Sequence, residues 1–593
     1  MASKPPQTDY LGVTHSALGR RWQDRLDASA ARQAEAIAAT HGLSQGLARI
    51  LAGRGADVAS TPTFLTPRLR DVMPDPSVLV DMDKAITRLV HAIKTREAIA
   101  IFGDYDVDGA CSAALLASML RALGLSPTIH IPDRLTEGYG PNEAAITRLY
   151  QEGARLLICV DCGTSGHGPL KKAHDLGMDV LIFDHHQAGE TLPEVHALVN
   201  PNRQDDLSGL GHLCAAGVVF LAMVALNRAL RGEGMSLPDL MASLDLVALA
   251  TVADVVPLTG LNRAFVAQGL KVLRQRARPG LAALADVARL DAAPEAWHLG
   301  FLLGPRINAG GRIGDAGLGA RLLLTEDAAD AQSLAAKLDH LNRERQAVEE
   351  AMLAEAEEEA LKQAESLDAP VLVVAGEHWH PGIVGIIAGR LKERFRRPAF
   401  AFATHEGVIT GSGRSITGVD LGAAVRAGVT AGLAIKGGGH AMAAGTTLPA
   451  GGVAAFADFL ITRLADDVAA SRAADALLID LAITAESLTP ELVADFARAA
   501  PFGQMNPEPV LALPAHRIAE VITIKGGHLK VVLLGAGGGR IEAMAFRASG
   551  RPLGDALEAA RGKTMHVAAT ASLDHWGGRT KVSLKILDLA AAP

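Results

Sequence analysis

From about residue 85, short aliphatic runs alternate along the chain with segments of helical periodicity. Three of the helical segments end at a glycine, the residue that most readily follows a helix in the left-handed conformation. Strands that alternate with helices at this spacing predict a parallel sheet with helices on both faces. The predicted strands are, in chain order, EAIAIFGD, PTIHIPD, ARLLICVD, DVLIFDHH and HALVNP.

The hydrophobic pattern changes several times in the rest of the chain. Alanine-rich residues from 14 to about 53 predict helices, and residues 239 to about 290 predict another helical region. A stretch without proline or glycine within 326–366 predicts one long connecting helix. A second α/β region is expected from 367 to about 466. The short alternating segments that follow predict a small antiparallel barrel or sandwich.

The expected fold is therefore α/β: a parallel-sheet domain, a long helix, a second α/β domain and a small β-barrel of the OB type. A length of 593 residues exceeds what a single core supports. The expected segments are an N-terminal helical segment (1–46), the parallel-sheet domain (47–325), the connecting helix (326–366), the second α/β domain (367–466) and the OB-like domain (467–593).

Composition narrows the class of protein. The net charge of -8 argues against a protein that coats nucleic acid through bulk charge, although a local basic groove is compatible with it. Four cysteines in this length do not make a disulfide framework, which suggests a reducing compartment. The sequence shows neither the apolar stretch of a signal peptide nor a run of about 18 apolar residues. A cytoplasmic protein with no membrane contact is expected.

Acidic residues stand where the predicted strands end. Asp104, Asp161 and Asp184 end the first, third and fourth strands, and such ends share the edge of a parallel sheet where ligands bind. The turn after the first strand adds two carboxylates, two histidines follow the fourth strand, and a further aspartate follows a helix in LATVADVVPL. These additional residues are Asp106, Asp108, His185, His186 and Asp254.

So many carboxylates at one edge repel one another unless a positive charge neutralises them. Carboxylates with one or two imidazoles suit Mn²⁺ or Mg²⁺, and their number favours a site for two ions. A solvated turn or a calcium loop would also explain the triplet of Asp104, Asp106 and Asp108 taken alone. The EF-hand version is weak, because no glutamate stands at the twelfth position of such a loop.

A C-x-x-C spacing, Cys159 to Cys162, is a competing motif for zinc or redox chemistry. It has no partner pair, and Cys159 falls inside an apolar strand. A structural role is therefore expected for both thiols.

Several motifs resemble those of a known family. GDYDVDG, VDCG, FDHH and VADVVPL are similar to successive motifs of the DHH phosphoesterases, and GSGRS (411–415) and IKGGGHAMAAG resemble the associated DHHA1 domain. LGPRINAGGRIGDA and the C-terminal barrel resemble the family's single-strand-specific 5′→3′ DNA exonucleases.

The resemblance implies a set of metal ligands with different roles. It makes Asp161 the residue that bridges two ions, and it makes Asp184 the group that orients a neighbouring imidazole. It leaves His186 free to contact the scissile phosphate, so that Asp161, Asp184 and His186 are the implied catalytic residues. The implied metal ligands are Asp106, Asp108, Asp161, His185 and Asp254, with Asp104 either a further ligand or a group that lies close to the ligands.

The resemblance also implies a binding site for the terminal phosphate of the strand, because arginine makes bidentate contacts with phosphate oxygens. A surface or turn role is the alternative for each residue taken alone. The candidates lie in a glycine-rich loop at 304–317, in GSGRS and in GGGH: Arg306, Asn308, Arg312, Ser412, Arg414 and His440.

The barrel candidate carries basic residues that suit a second nucleic-acid surface, although a solvated face explains them equally well. They are Lys525, Lys530, Arg540, Arg547 and Lys581, with His575 and Trp576 as a possible stacking pair.

The expected activity is a Mn²⁺- or Mg²⁺-dependent 5′→3′ exonuclease that degrades single-stranded DNA to 5′-mononucleotides in DNA repair and recombination. The expected partners are a single strand with a free 5′ end, a helicase and a single-strand-binding protein, with the chain itself a monomer. Two alternatives stay open: a phosphodiesterase for short oligonucleotides or cyclic dinucleotides, and a non-catalytic single-strand-binding scaffold.

Overall fold

The computed structural model describes residues 9–134, 136–365, 367–405, 407–576 and 579–592. Its contacts divide the chain into two compact units. One unit contains the residues up to 73, residues 257–267 and the residues from 475 onward. The other contains residues 74–256 and 268–474. Residues up to 73 thus pack with the C-terminal region, whereas the sequence placed residues 47–73 with the parallel-sheet domain.

The N-terminal segment contains a short strand as well as the expected helices. Trp22 in this strand is fully buried, and the strand pairs with residues 476–479, a partner that local sequence does not reveal. Asp27 accepts hydrogen bonds from the first turn of the next helix, which ends at Gly42 in the left-handed conformation. The elements are β1 (Arg21–Asp24), α1 (Ala28–His41), α2 (Gln45–Ala52), α3 (Thr61–Leu65) and α4 (Leu69–Val72).

The predicted parallel sheet is confirmed and has five strands. Its strand order is β3-β2-β4-β5-β6, and every neighbouring pair is parallel. All five residues of β2 and of β4 are buried, as expected for strands that helices cover on both faces. The elements are α5 (Met82–Thr95), β2 (Ile99–Gly103), α6 (Val107–Ala122), β3 (Thr128–His130), α7 (Glu143–Gln151), β4 (Leu156–Val160), α8 (His167–Asp175), β5 (Asp179–Phe183) and β6 (Ala197–Val199).

Helices dominate the region after the sheet. The last of them has 38 residues and a length of about 57 Å, which confirms the predicted connecting helix. The elements are α9 (Ala215–Leu230), α10 (Leu244–Ala253), α11 (Gly260–Arg274), α12 (Pro279–Val287), α13 (Ala296–His298), a π-helical turn (Leu299–Leu303), α14 (Gly304–Ile313), α15 (Leu318–Leu324) and α16 (Ala328–Glu365).

The glycine-rich segment at 304–317 was expected to be a loop, and this expectation is wrong for its first ten residues, which form α14. The glycines permit close packing of this helix instead of turns. A Cβ atom on Gly311 would lie 2.6 Å from the carbonyl oxygen of Tyr105, closer than any real side chain comes. The helix therefore runs directly against the turn that follows β2.

The second α/β region contains a mixed sheet of order β10-β11-β9-β8-β7, in which only the β7–β8 pair is parallel. Phe400, Phe402 and Phe456 form an aromatic cluster in its core. The elements are β7 (Leu372–Gly376), α17 (Val384–Phe395), β8 (Ala399–His405), β9 (Val408–Arg414), α18 (Leu421–Thr430), β10 (Lys436–His440), β11 (Ala443–Leu448) and α19 (Val453–Ala474).

The C-terminal region forms the expected barrel. Strands β14, β15, β16, β18 and β17 are joined in this order, and a β14–β17 pairing closes the ring, so that a sandwich is excluded. Only the β16–β18 pair within the barrel is parallel. The elements are β12 (Ala476–Ile479), β13 (Leu481–Ala482), α20 (Pro490–Ala497), β14 (Leu511–Ile524), β15 (His528–Leu534), β16 (Arg540–Ala545), α21 (Pro552–Ala559), β17 (Thr564–Trp576) and β18 (Arg579–Ala591).

Some of the barrel's basic residues are already paired. Lys530 and Lys581 contact Glu542 at 3.0 and 2.6 Å, and Arg540 lies 3.6 Å from it. Hydrogen bonds from the two lysines lower the pKa of Glu542 to about 2. These three cations are thus less available to a nucleic acid than the sequence suggested. The side chains of His575 and Trp576 lie outside the described residues.

Buried ion pairs attach the N-terminal segment to the C-terminal region. The side chain of Asp480 is fully buried and accepts hydrogen bonds from Arg25, Arg54 and the amide of Val510. The Arg54 side chain is only 1% exposed. Removing the negative charge would therefore leave a buried guanidinium without its counter-charge.

We predict that Asp480→Asn lowers the free energy of unfolding of this unit by about 3 kcal/mol, the typical result of breaking a buried ion pair on one side. Faster hydrogen exchange in peptides that contain β1 and β12 would report the loss. Glu558→Gln, at an exposed carboxylate of the same unit, should change stability by less than about 0.5 kcal/mol. Equal exchange in the two variants would contradict the prediction.

Candidate metal centre

The structure brings seven of the predicted residues together at the carboxyl edge of the parallel sheet. Asp104 follows β2, Asp161 follows β4, and His185 and His186 lie in the loop after β5. We call the set of Asp104, Asp106, Asp108, Asp161, His185, His186 and Asp254 the carboxylate cluster.

The triplet of alternating aspartates forms a strand-to-helix turn. Asp106 is the N-cap of α6, and its Oδ1 accepts hydrogen bonds from the amides of Asp108 and Gly109 at 2.9 and 3.1 Å. A Cβ atom on Gly109 would lie 2.4 Å from the carbonyl oxygen of Asp104. The glycine that closes the triplet is therefore required by the close approach of two backbone segments.

A second helix N-terminus holds Asp108. Its two carboxylate oxygens accept hydrogen bonds from the amides of Ala215 and Ala216, at 2.7 and 2.8 Å, in the first turn of α9. Because the partial positive charge of a helix N-terminus favours a carboxylate, α9 stabilises this buried group and fixes its direction.

The imidazole of His185 lies among three carboxylates. Its Nε2 is 3.3 Å from Asp161, 3.6 Å from Asp254 and 3.7 Å from Asp108. Asp254 reaches this place from the C-terminal end of α10. Ligand atoms of Asp108, His185 and Asp254 lie within 4.8 Å of one another, as expected for groups that surround one ion.

Two more groups of three meet the same distance limit. One contains Asp104, Asp106 and Asp161, and the other contains Asp161, His185 and His186. Asp161 belongs to both. Its role as a ligand shared by two ions stays a prediction.

The electrostatics of the cluster fit bound cations. Burial and neighbouring carboxylates raise the pKa of Asp104, Asp161 and Asp254 well above the ordinary value. Among the described residues, one buried carboxylate oxygen of Asp104 and one of Asp161 accept no hydrogen bond. Buried polar atoms are normally satisfied, so these two oxygens fit contact with bound cations. The oxygen-rich donor set with one or two imidazoles suits Mn²⁺ or Mg²⁺.

Asp161 also has an unusual backbone. Its φ of 61° lies in the left-handed region, which aspartate and asparagine tolerate better than other non-glycine residues. Alanine at this position would thus add backbone strain to the loss of a ligand, and asparagine is the more informative substitution.

The oxygens of Asp184 are engaged by the protein itself. Oδ1 accepts hydrogen bonds from the amides of His185 and His186 and lies 2.8 Å from His186 Nδ1, and Oδ2 accepts from the amide and hydroxyl of Thr164. Burial opposes ionisation, but the contact with His186 lowers the pKa of Asp184 below its ordinary range. Asp184 is therefore positioned to orient His186.

The same pair affects the imidazole. Burial alone would lower the pKa of His186, but the hydrogen bond and charge of Asp184 raise it to about 9. His186 is therefore mostly protonated at neutral pH when no cation is bound next to it.

Three residues that the sequence analysis missed complete this part of the site. The hydroxyl of Tyr139 lies 3.3 Å from the carbonyl oxygen of Asp161 and 3.2 Å from His186 Nδ1. Asn200 donates hydrogen bonds to the Thr164 hydroxyl and to the carbonyl oxygen of His186. Thr164 and Asn200 closely follow β4 and β6, so the rule that located the aspartates could have located them, whereas Tyr139 is nine residues beyond the end of β3.

A group of cations lies beside the cluster. Arg312 donates to the carbonyl oxygen of Gly382, and burial followed by the charges of other arginines lowers its pKa to about 10. The guanidinium of Arg134 lies 5.3 Å from the centre of the Tyr105 ring, next to the aspartate turn. Burial, followed by the charge of Arg134, lowers the pKa of Arg414. We call Arg134, Arg312 and Arg414 the arginine group.

Two of the predicted phosphate-binding residues, Arg306 and Asn308, are engaged by neighbouring groups of the protein. Arg306 donates to Asp339 at 3.0 Å and to the carbonyl oxygen of Leu302, so a carboxylate already balances its charge. Asn308 accepts a hydrogen bond from the amide of Val107 and thereby fixes the turn after Asp106. The structure thus gives both residues contacts within the protein that the sequence did not reveal.

The remaining phosphate candidates lie on the mixed sheet. Arg414 donates to the hydroxyl of Ser412 at 2.9 Å. Burial, followed by the charges of His186 and Arg426, lowers the pKa of His440. The charge of His186, a member of the carboxylate cluster, thus acts on His440, the last residue of β10.

Three family models match the chain in succession. The DHH family, N-terminal domain, matches residues 98–251, the DHHA1 domain matches 368–466, and the RecJ OB domain matches 479–588. The fold and the site are thus those of a DHH-family protein with a DHHA1 domain and an OB domain.

Individual relatives define the family more closely. The chain is 39% identical to the single-stranded-DNA-specific exonuclease RecJ of Dickeya dadantii over 78% of its own length and 83% of the relative. It is 36% identical to the protein of that name in Bacillus subtilis, over 92% of this chain and 68% of that relative. The chain belongs to the RecJ family.

A solved structure agrees with this assignment. The crystal structure of RecJ in complex with Mn²⁺ from Thermus thermophilus has a TM-score of 0.78 and 29% identity, over 96% of this chain and 79% of that one. A structure of the same protein with Mg²⁺ gives a TM-score of 0.73. In the described part of this chain, no helix has the length and apolar character needed to span a bilayer.

We predict that Mn²⁺ raises the melting temperature of the protein by about 5 °C at one hundred times its dissociation constant. Asp161→Asn should reduce this shift to about 1 °C or less, because it removes a carboxylate shared by two groups of ligands. Differential scanning fluorimetry with and without MnCl₂ measures the shift. Asp175→Asn, at an exposed pair with Lys171, should retain it in full; a full shift in the Asp161 variant would contradict the prediction.

We also predict a pH dependence of the metal-free protein. Because the folded state raises the pKa of Asp161 above 3.8, it binds more protons than the unfolded state, and stability falls as pH rises through the raised pKa. In excess chelator, Asp161→Asn should therefore melt higher than the wild type by a margin that grows from pH 4 to pH 8. A margin independent of pH would count against this account.

Proposed function

We propose that the protein is a metal-dependent 5′→3′ exonuclease that degrades single-stranded DNA to 5′-mononucleotides in DNA repair and recombination. The observation that carries the proposal is the carboxylate cluster beside the arginine group: one set of residues suits cations, and the other suits the phosphate of a strand end. The names of the relatives and the family membership support the same activity.

The residues of the cluster divide between two cation positions. Asp108, His185 and Asp254 would hold one ion, Asp104 and Asp106 the other, and Asp161 would contact both. Divalent cations held by these residues would supply an activated water and stabilise charge on the phosphate oxygens. The Mn²⁺- and Mg²⁺-containing structures of the Thermus relative support either metal.

His186 would act on the phosphate that is cleaved. Asp184 lies 2.8 Å from its Nδ1, and its charge and hydrogen bond favour the protonated form of the ring. The protonated ring can donate a hydrogen bond to a phosphate oxygen or to the leaving 3′ oxygen. The hydroxyl of Tyr139 lies 3.3 Å from Nε2 and limits the rotation of the ring. Asp184 and Tyr139 thus serve as positioning residues for His186.

The arginine group would bind the 5′-terminal phosphate. Arg312 and Arg414 have no carboxylate partner among the described residues, and Ser412 orients the guanidinium of Arg414. Buried cations that repel one another gain most when an anion binds between them. Arg306 is the weaker candidate because Asp339 already balances its charge, and Asn308 and His440 would contribute polar contacts.

The closed barrel favours long strands over the alternative substrates, short oligonucleotides and cyclic dinucleotides. A barrel of the OB type provides a surface for several nucleotides that a dinucleotide would not need. A non-catalytic scaffold is disfavoured because a site that binds no cation would gain nothing from two buried carboxylate oxygens that accept no hydrogen bond from the described residues.

The setting of the enzyme follows from the same proposal. Four free, buried cysteines suit a reducing compartment, which supports the cytoplasm. We also propose a monomer that acts on free 5′ ends and works with a helicase and a single-strand-binding protein, since such partners supply single strands.

We predict that the protein with Mn²⁺ shortens a 3′-labelled, 5′-phosphorylated single strand progressively and leaves a blunt duplex intact. Asp161→Asn should reduce the rate at least about 1,000-fold, because the shared ligand is lost, while strand binding largely survives. Gel analysis of end-labelled strands measures both. Asp175→Asn is the matched control, and release of a mononucleotide from a 3′ label as the first product would show the opposite polarity.

A further inference from the structure

Two large aromatic side chains are exposed one helical turn apart. Trp297 is 50% exposed and Phe301 is 79% exposed. Among the aromatic side chains that the structure describes, Tyr139 and Phe546 are the others classed as exposed, and each stands apart from this pair in the sequence. The two rings therefore present neighbouring aromatic surfaces to solvent.

The pair lies on the helical run that borders the carboxylate cluster. This run continues from α13 through the π-helical turn into α14. A Cβ atom on Gly300 would lie 3.2 Å from a methyl group of Val252, and one on Gly304 would lie 3.4 Å from Ala253. Asp254 follows directly in the sequence. Phe301 is thus three residues before Gly304, which packs against the residue that precedes Asp254.

Contacts beneath the surface hold Trp297 in place. Its ring lies on the ring of His298, with the ring centres 3.8 Å apart. His298 is buried, and its Nδ1 accepts a hydrogen bond from the amide of Glu295 at 2.9 Å. The indole is therefore an exposed face on a fixed support, which lowers the entropy cost of stacking another ring on it.

We infer that Trp297 and Phe301 form a stacking platform for bases of the single strand that lie on the 3′ side of the cleaved bond. The inference rests on the proposed function. An enzyme that removes terminal nucleotides must hold the rest of the strand whatever its sequence. Aromatic rings do so because every base presents a π face.

The size of the patch favours a nucleic acid over a protein partner. Two aromatic side chains offer at most a few hundred Å², whereas a stable protein interface buries about 1,200 Å² or more in total. One ring is enough for one stacked base. Continuity with the carboxylate cluster points to the same occupant.

Intrinsic fluorescence gives a direct test. The chain has four tryptophans, and Trp22 and Trp379 are buried. Trp576, the fourth, is a candidate for stacking in its own right and is replaced by phenylalanine. In the Asp161→Asn, Trp576→Phe background, in which cleavage is removed, a 5′-phosphorylated 20-residue oligo(dT) should quench the emission, because stacking on Trp297 changes its surroundings. Trp297→Phe in the same background should abolish the quenching but leave the affinity within about twofold, since a phenyl ring still stacks.

Kinetics provide the second test. In the active enzyme, Trp297→Leu combined with Phe301→Leu keeps apolar volume but removes both π faces. This variant should raise KM for the 20-residue strand about tenfold or more, with kcat changed less than about twofold. The combination of Trp297→Phe and Phe301→Tyr should restore the wild-type KM. Leu207→Ala, at a side chain that is 93% exposed, is the surface control.

The outcomes separate this inference from the proposed function. If the wild type leaves single strands intact, the proposed function fails. If the wild type digests them and the leucine variant shows the same KM and the quenching persists in Trp297→Phe, the platform alone is wrong. The manganese-induced rise in melting temperature establishes that the variants with an intact Asp161 are folded, and for Trp297→Phe in the Asp161→Asn, Trp576→Phe background a melting temperature equal to that of the background alone does so. A leucine variant with normal KM overturns the platform whatever its stability.

Discussion

Repulsion among buried carboxylates is the constraint on which the catalytic unit depends. Asp104, Asp161 and Asp254 share the edge of the sheet, and burial makes their negative charges more costly. Backbone amides at the N-termini of α6 and α9 offset part of this cost at Asp106 and Asp108. The repulsion that these amides do not offset makes the edge of the sheet favour small, highly charged cations. The same repulsion that destabilises the metal-free fold therefore favours metal binding.

The site joins two charge patterns that would each be unfavourable alone. The carboxylate cluster repels itself, and so does the arginine group, in which burial and neighbouring cations lower the pKa of Arg312. Helix α14 and the turn after β2 hold them side by side, because Gly311 allows the helix to contact Tyr105. A metal-bound strand end satisfies both groups at once, which gives the proposed substrate a physical basis beyond family membership.

Part of this arrangement was predictable from the sequence. The strand-ending aspartates located the cluster because the carboxyl ends of parallel strands share one edge, and the same rule applied to Asn200, directly after β6, would have extended it. The helix over the glycine-rich segment was missed, because glycine usually ends helices and its role in close packing needs a known neighbour. The ion pair of Arg306 with Asp339 was also hidden, since it depends on how two helices pack. The roles that the sequence analysis assigned to the individual metal ligands stay predictions.

The pairing of β1 with β12 has a consequence for synthesis of the chain. Arg21 pairs with Ala476, so the N-terminal strand has no partner until 455 more residues have been made. At about 5–20 residues per second, this takes on the order of half a minute to a minute and a half. Meanwhile Trp22 and the apolar faces of α1 and α2 are exposed on a nascent chain whose central sheet can already form. Assembly of the N-terminal segment is therefore a late step, and during this interval the ribosome-bound chain offers a binding site for chaperones.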